Sequence, residues 1–152
     1  MQVFIAGIMQ GTRLDNQIDS QSYRAQISDA LRAHIPDISI FDPYALNPNS
    51  VNYDEDTARH TFLSMTRQAA KVDLMIAYLP RPSMGTAMEM WEAFNAGIYI
   101  IAITPMMHHW AVRFTANEIV PDLETLLADI ANGRVAQILQ QRKPVDAPLV
   151  AD

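Results

Sequence analysis

Ser83, Gly85, Thr86 and Glu89 fall within seven residues of the stretch PRPSMGTAMEMWEAF (80–94), and no other part of the chain is as well suited to chemistry. A short loop running into Gly-Thr-Ala opens a helix. The first N–H groups of such a helix can receive an anion or a hydroxyl, and Gly85 admits close backbone approach. Glu89 follows in the first turns, where the helix dipole favours an ionised carboxylate that can serve as a nucleophile. Glu92 is its neighbour on the helix surface, three residues on. Two solvated glutamates on an acidic protein is the plainer reading of this pair, and spacing alone leaves both open.

A second group of candidates sits in DPYALNPNSVNYDED (42–56) and the helix after it: Asp42, Tyr44, Tyr53, Asp54, Asp56 and His60. A loop of this length in a small domain suits a lid or binding loop. Asp42 leaves a strand and is either a crevice carboxylate or an Asp-Pro turn. His60 titrates near neutrality and suits an acid, or is simply a surface histidine. In MMHHWAVRFTAN (106–117), adjacent histidines cannot face one ion and have no acidic partner in register, so no metal site is expected.

These residues need elements to carry them. VFIAGI (3–8), ISIF (38–41), DLMIAYLP (73–80) and YIIAITP (99–105) read as buried strands. Helical spacing marks 22–35, stopped by Pro36; 54–72, with acidic residues at its start; and the helix from Gly85 towards Gly97, a C-cap glycine. On that last helix Ala87, Met90, Trp91, Phe94 and Ile98 form an apolar stripe, while Met84, Met88 and Met90 are adaptable wall or core. TANEIVPDLETLLADIANG (115–133) reads as mostly helix, and the last fifteen residues as a loose tail, with 142–152 free or docked on a neighbouring subunit. Strands alternating with helices predict an α/β fold: a flavodoxin-like or Rossmann-like three-layer sandwich on a central parallel sheet, one domain over 1–152. Ligands then bind where the loops after Gly7, Phe41, Pro80 and Pro105 converge.

Composition narrows the classes of partner. The 152 residues are 49% hydrophobic and 18% charged, with a formal charge of −6, which suits a globular core and argues against nucleic acid as a partner. With no cysteine, disulfides and thiolate sites are excluded. Neither a leader nor a membrane span is visible, so a cytoplasmic protein is expected.

VDLMIAYLPRPSMGTAMEMWEAFNAG (72–97), taken with VFIAG (3–7) and ITPMMHHWAVRFTANEIV (103–120), resembles the nucleoside 2-deoxyribosyltransferase family, which includes the nucleoside 5'-monophosphate N-glycosidases. The resemblance implies that Glu89 attacks the anomeric carbon of a (2'-deoxy)ribonucleoside and that a second base or water resolves the glycosyl ester. It gives Glu92 no role. Transferases of the family commonly have aspartate where this chain has Ser83, and the monophosphate glycosidases commonly have serine, touching phosphate; a helix N-cap is the alternative. Two positions depart from the pattern. The family's first-strand tyrosine, which orients the glutamate, is Phe4 here (or Val3, with the alignment slipped by one), and the aspartate that handles the leaving base's proton is Met65. Gly7 matches the strand-end glycine and, with Phe4, Met65, Gly85, Thr86 and Tyr44, belongs to the expected substrate pocket. The asparagine that completes a neighbouring subunit's site is best matched by Asn117, so a homo-oligomer with shared sites is implied, while His109 and Trp110 suit stacking on a base or filling an interface. Nucleosides or nucleotides and free bases are the implied partners, with no cofactor. The expected activity is 2'-deoxyribosyl transfer; the alternatives are hydrolysis of nucleoside 5'-monophosphates and nucleotide binding without turnover, the last motivated by Phe4 and Met65.

Overall fold

A computed structural model describes residues 1–11, 14–15 and 17–141. Five parallel strands form one sheet in the order β2-β1-β3-β4-β5: β1 (Gln2–Gly7), β2 (Ser39–Phe41), β3 (Leu74–Tyr78), β4 (Tyr99–Ile103) and β5 (Glu118–Val120). Chain order reverses between β1 and β3, the switch point at which open α/β sheets bind ligands. Gly7, Tyr78 and Ile103 are in register, so three strands end together there.

Strand residues alternate between two cores, as period-two geometry requires. Val3, Ile5, Leu74, Ile76, Ile101 and Ile103 face α1 (Ser22–His34), α6 (Leu123–Ala131) and α7 (Arg134–Gln141). Phe4, Ala6, Met75, Ala77, Ile100 and Ala102 face the other side, with α3 (Glu55–Gln68), α4 (Met84–Asn95) and α5 (Trp110–Arg113). The remaining helix, α2 (Pro43–Leu46), follows β2 directly. This is the flavodoxin-like three-layer arrangement expected from the strand–helix alternation.

The expected boundaries hold for α1, which ends before Pro36, and for α4, which closes on Gly97 at φ +70 with its N–H on the Phe94 carbonyl. Asp54 caps α3 by accepting from the Thr57 N–H at 2.9 Å.

Three expectations are corrected. Residues 115–133 are not mostly helix: Glu118–Val120 is the edge strand β5, and α6 begins only after Asp122 caps it. The three-residue run is too short for its alternation to show against the helical pattern that follows. The chain beyond Gly133 is not loose to its last fifteen residues, since α7 runs to Gln141 and buries Val135 and Leu139; Gly133, at φ +85, makes the break between helices. Residues 142–152 lie outside the described residues. The loop 42–56 also holds α2 and a 3-10 turn at Ser50–Asn52. Among the described residues no helix is long and apolar enough to cross a membrane.

Candidate active site

The start of α4 is built by Ser83, whose hydroxyl accepts from the Thr86 N–H at 3.4 Å and from the Thr86 hydroxyl at 3.0 Å. Ser83 is thus the N-cap, with extended backbone, and its own O–H remains to donate. The buried face of α4 is Thr86, Met90 and Ala93. The stripe expected from sequence is therefore rotated: Ala87 is exposed, while Trp91 and Phe94 point outward and stack on each other at 5.7 Å. Glu89 borders the true buried face and is half-buried, which the sequence stripe had hidden.

Glu89 opens into a cavity of about 650 Å3 between the loop after β1, the segment after β2, α3 and the start of α4. Gly7, Asn47, Tyr53, Met65, Ser83 and Glu89 are among its walls, together with the thioethers of Met9, Met84 and Met88. Tyr53 and Glu89 are the only titratable side chains among the described residues that line it. Mostly apolar walls with a few polar groups suit a small organic ligand. A smaller hollow of about 300 Å3 lies at the other end of the sheet, where Glu118 is already paired with Arg134 and with the Tyr99 hydroxyl.

Beneath the cavity lies a charged cluster of which only Asp42 was a candidate from sequence. The Arg24 side chain is buried; Nη1 donates to the Ile5 carbonyl at 2.6 Å and to Asp42 Oδ1 at 2.8 Å, Nη2 to the Gly7 carbonyl at 3.3 Å, and Nε to Gln21 Oε1 at 2.7 Å. The guanidinium thus sits under the cavity floor at Gly7. Tyr23 packs beside it, its ring stacked on Tyr78 at 4.2 Å and its hydroxyl against Gly7. Burial raises the Glu89 carboxyl from 4.5 to about 7; Arg24 pulls it down and Asp42 pushes it up. Desolvation is the largest influence on Glu89, the sixth residue of α4, and works against the ionised form that its place in the first turns was expected to favour. Burial also raises the Tyr23 phenol, opposed by Arg24 and reinforced by Asp42 and Glu89. The sequence signal for this cluster was an arginine on the apolar stripe of α1, one turn before Ile27.

The structure brings Gly7, Met65, Ser83, Gly85, Thr86 and Glu89 together around the cavity. Asp42 lies just behind it, accepting from Arg24 and capping α2 by accepting from the Tyr44 N–H at 3.0 Å. Other sequence candidates fall elsewhere. Phe4 is fully buried and stacks on Phe41 at 5.3 Å, in the core rather than in the pocket. Tyr44 and His60 do not line the cavity, His60 being exposed on α3. His109 is exposed at the start of α5. Asn117 is at the amino end of β5, away from the crevice, where its carboxamide oxygen accepts from the Ile100 N–H at 2.8 Å. Among the described residues no three His, Asp or Glu side chains gather as a metal site.

No family model and no curated protein matches the sequence. Solved structures do match the fold. A 2-deoxyribosyltransferase from the psychrotolerant bacterium Bacillus psychrosaccharolyticus superimposes with a TM-score of 0.62 at 12% identity, over 84% of this chain and 90% of that one. The chain has the fold of a 2-deoxyribosyltransferase. A conserved protein from Enterococcus faecalis V583 superimposes with a TM-score of 0.59 at 18% identity, covering 87% of this chain and 98% of that one. A CMP N-glycosidase from Clostridium botulinum reaches 0.49 at 18% identity, over 87% and 99%.

Proposed function

We propose that this protein is an enzyme that breaks and remakes the N-glycosidic bond of nucleosides, as a nucleoside 2'-deoxyribosyltransferase with Glu89 as nucleophile. The observation that carries this is Glu89 itself: a half-buried carboxyl in the second turn of α4, facing a cavity on the switch point of a 2-deoxyribosyltransferase fold. In the first step a Glu89 oxygen bonds to C1' of the sugar while the C1'–N bond breaks, and the electron pair leaves on the base nitrogen. In the second, a nitrogen of another base bonds to C1' and the ester C–O bond breaks, restoring the carboxylate. Arg24, under the floor, favours the ionised form that must attack.

A second reading, hydrolysis of nucleoside 5'-monophosphates, is favoured by Ser83. Its hydroxyl and the N–H groups of α4's first turn are suited to a phosphate. We also propose a homo-oligomer, since Phe62 and Leu63 on α3 and Met88, Trp91 and Phe94 on α4 are all exposed, and Phe62 and Met88 line the cavity. Asn117 does not contribute to this proposal, because its side chain is engaged within its own sheet.

The test is chromatographic. 2'-Deoxyinosine and dCMP are incubated separately, each with and without adenine or cytosine. New nucleoside appearing only with acceptor supports transfer; free base from dCMP alone selects the hydrolase; silence from folded protein in all tubes removes both.

A further inference from the structure

A base that leaves with the electron pair of its C1'–N bond is a poor leaving group unless a proton arrives as the bond breaks, and Met65, whose thioether lines the cavity, has none to give. Of the groups able to supply one, Asp42 is held by Arg24, Asp54 caps α3, and Asp56 and His60 face solvent. Tyr44 is outside the cavity wall. Tyr53 is in that wall and half-buried. Its hydroxyl lies 3.4 Å from Asn47 Oδ1, and Asn47 Nδ2 in turn reaches Met65 Sδ at 3.6 Å. Tyr53, Asn47 and Met65 are thus linked along the cavity wall, and Tyr53 is the one titratable side chain besides Glu89 among the described residues that line it.

Resting on the reading of Glu89 as nucleophile, we propose that Tyr53 is the general acid–base of the reaction. Its phenolic O–H gives a proton to a ring nitrogen of the departing base as the C1'–N bond breaks. The phenolate then takes a proton from the N–H of the incoming base as the new C1'–N bond forms, so proton and charge balance over a cycle. The Asn47 carboxamide oxygen accepts from the phenol, and its amide is fixed by donating to the Pro43 carbonyl at 3.1 Å, which holds that acceptor in place. The substrate class follows: a base with an unsubstituted ring nitrogen able to accept that proton.

The test compares two leaving groups in the parent, Tyr53→Phe and Glu89→Ala proteins. One substrate is 2'-deoxyinosine. The other is an N7-methylated purine 2'-deoxynucleoside, already cationic, whose base departs neutral and needs no proton. Tyr53→Phe is expected to lose about 10²- to 10⁴-fold on 2'-deoxyinosine and less than about threefold on the methylated substrate. An equal loss on both would make Tyr53 a structural wall and overturn the proposal, as would no loss on either. Cleavage of the methylated substrate by the parent but not by Glu89→Ala keeps the nucleophile reading whatever Tyr53→Phe does. If the parent cleaves neither substrate, the reading and the proposal fall together. The variant keeps the ring and forgoes one long hydrogen bond, so an unchanged unfolding temperature checks its fold.

Discussion

Arg24 Nη1 lies 2.8 Å from Asp42 Oδ1 in a buried ion pair directly under Gly7, and Gly7 is part of the floor on which Glu89 opens. One cation therefore serves two carboxyls, and Glu89 receives what attraction Asp42 leaves.

The first consequence concerns pH. Glu89 titrates at about 7, and only its ionised form attacks. The rate, as kcat/KM, should fall tenfold per unit below about pH 7 and level off above it. Stability runs the other way. The folded protein holds this proton more tightly than the unfolded chain, so the contribution is complete below 4.5 and is lost as pH rises through about 7. Glu89→Gln removes that loss and should be more stable than the parent at alkaline pH by about 2 kcal/mol, discounted for its partial exposure, with the gain vanishing below pH 4.5. Urea titrations at several pH values measure it.

Arg24→Met and Asp42→Asn should move the acid limb of the rate profile in opposite directions. Without the guanidinium, two carboxyls face each other and the limb shifts to higher pH; without the Asp42 charge it shifts lower. Arg24→Met leaves Asp42 buried and unpaired and should cost about 3–5 kcal/mol of stability. Shifts of the same sign in both variants would show that the cluster does not set the ionisation of Glu89.

The two site glycines should respond differently to alanine. A Cβ at Gly7 would lie 2.3 Å from the Tyr23 hydroxyl and 2.8 Å from its ring carbon Cζ, and that ring is buried against Tyr78. Gly7→Ala should cost about 1–3 kcal/mol and disturb the floor beneath Glu89, lowering kcat. At Gly85 the nearest atom is Phe62 Cε2 at 3.7 Å, an ordinary contact, and the site is helical. Gly85→Ala should stabilise by about 0.5–1 kcal/mol while raising KM, if substrate approaches that backbone closely. Thermal melts and steady-state kinetics separate the two effects.

The sheet was legible because buried parallel strands are continuous apolar runs, and β1, β3 and β4 are such runs. β5 was not, since three residues with Glu118 at their head carry no period of their own. The cavity residues after β3 were legible because a glycine-bearing loop opening a helix has a local signature: Ser83 caps, and Glu89 follows at fixed spacing. Arg24 and Tyr23 reach Gly7 only through the packing of α1 on the sheet, a contact across about seventeen residues that local pattern does not encode. Asn117 matched a motif by its distance from a tryptophan, yet its carboxamide closes the β4–β5 edge. Phe4 likewise matched a position whose side chain here points into the core.

The most direct test of the central claim is to trap the sugar on the protein. A 2'-fluoroarabinosyl nucleoside slows resolution of the glycosyl ester, because fluorine at C2' opposes the positive charge that develops at C1'. After incubation without acceptor, peptide mass spectrometry should find the fluorosugar on the peptide that contains Glu89, and none in Glu89→Ala. A sugar adduct on a different residue would contradict the account. So would a Glu89→Ala protein that releases base from 2'-deoxyinosine as fast as the parent.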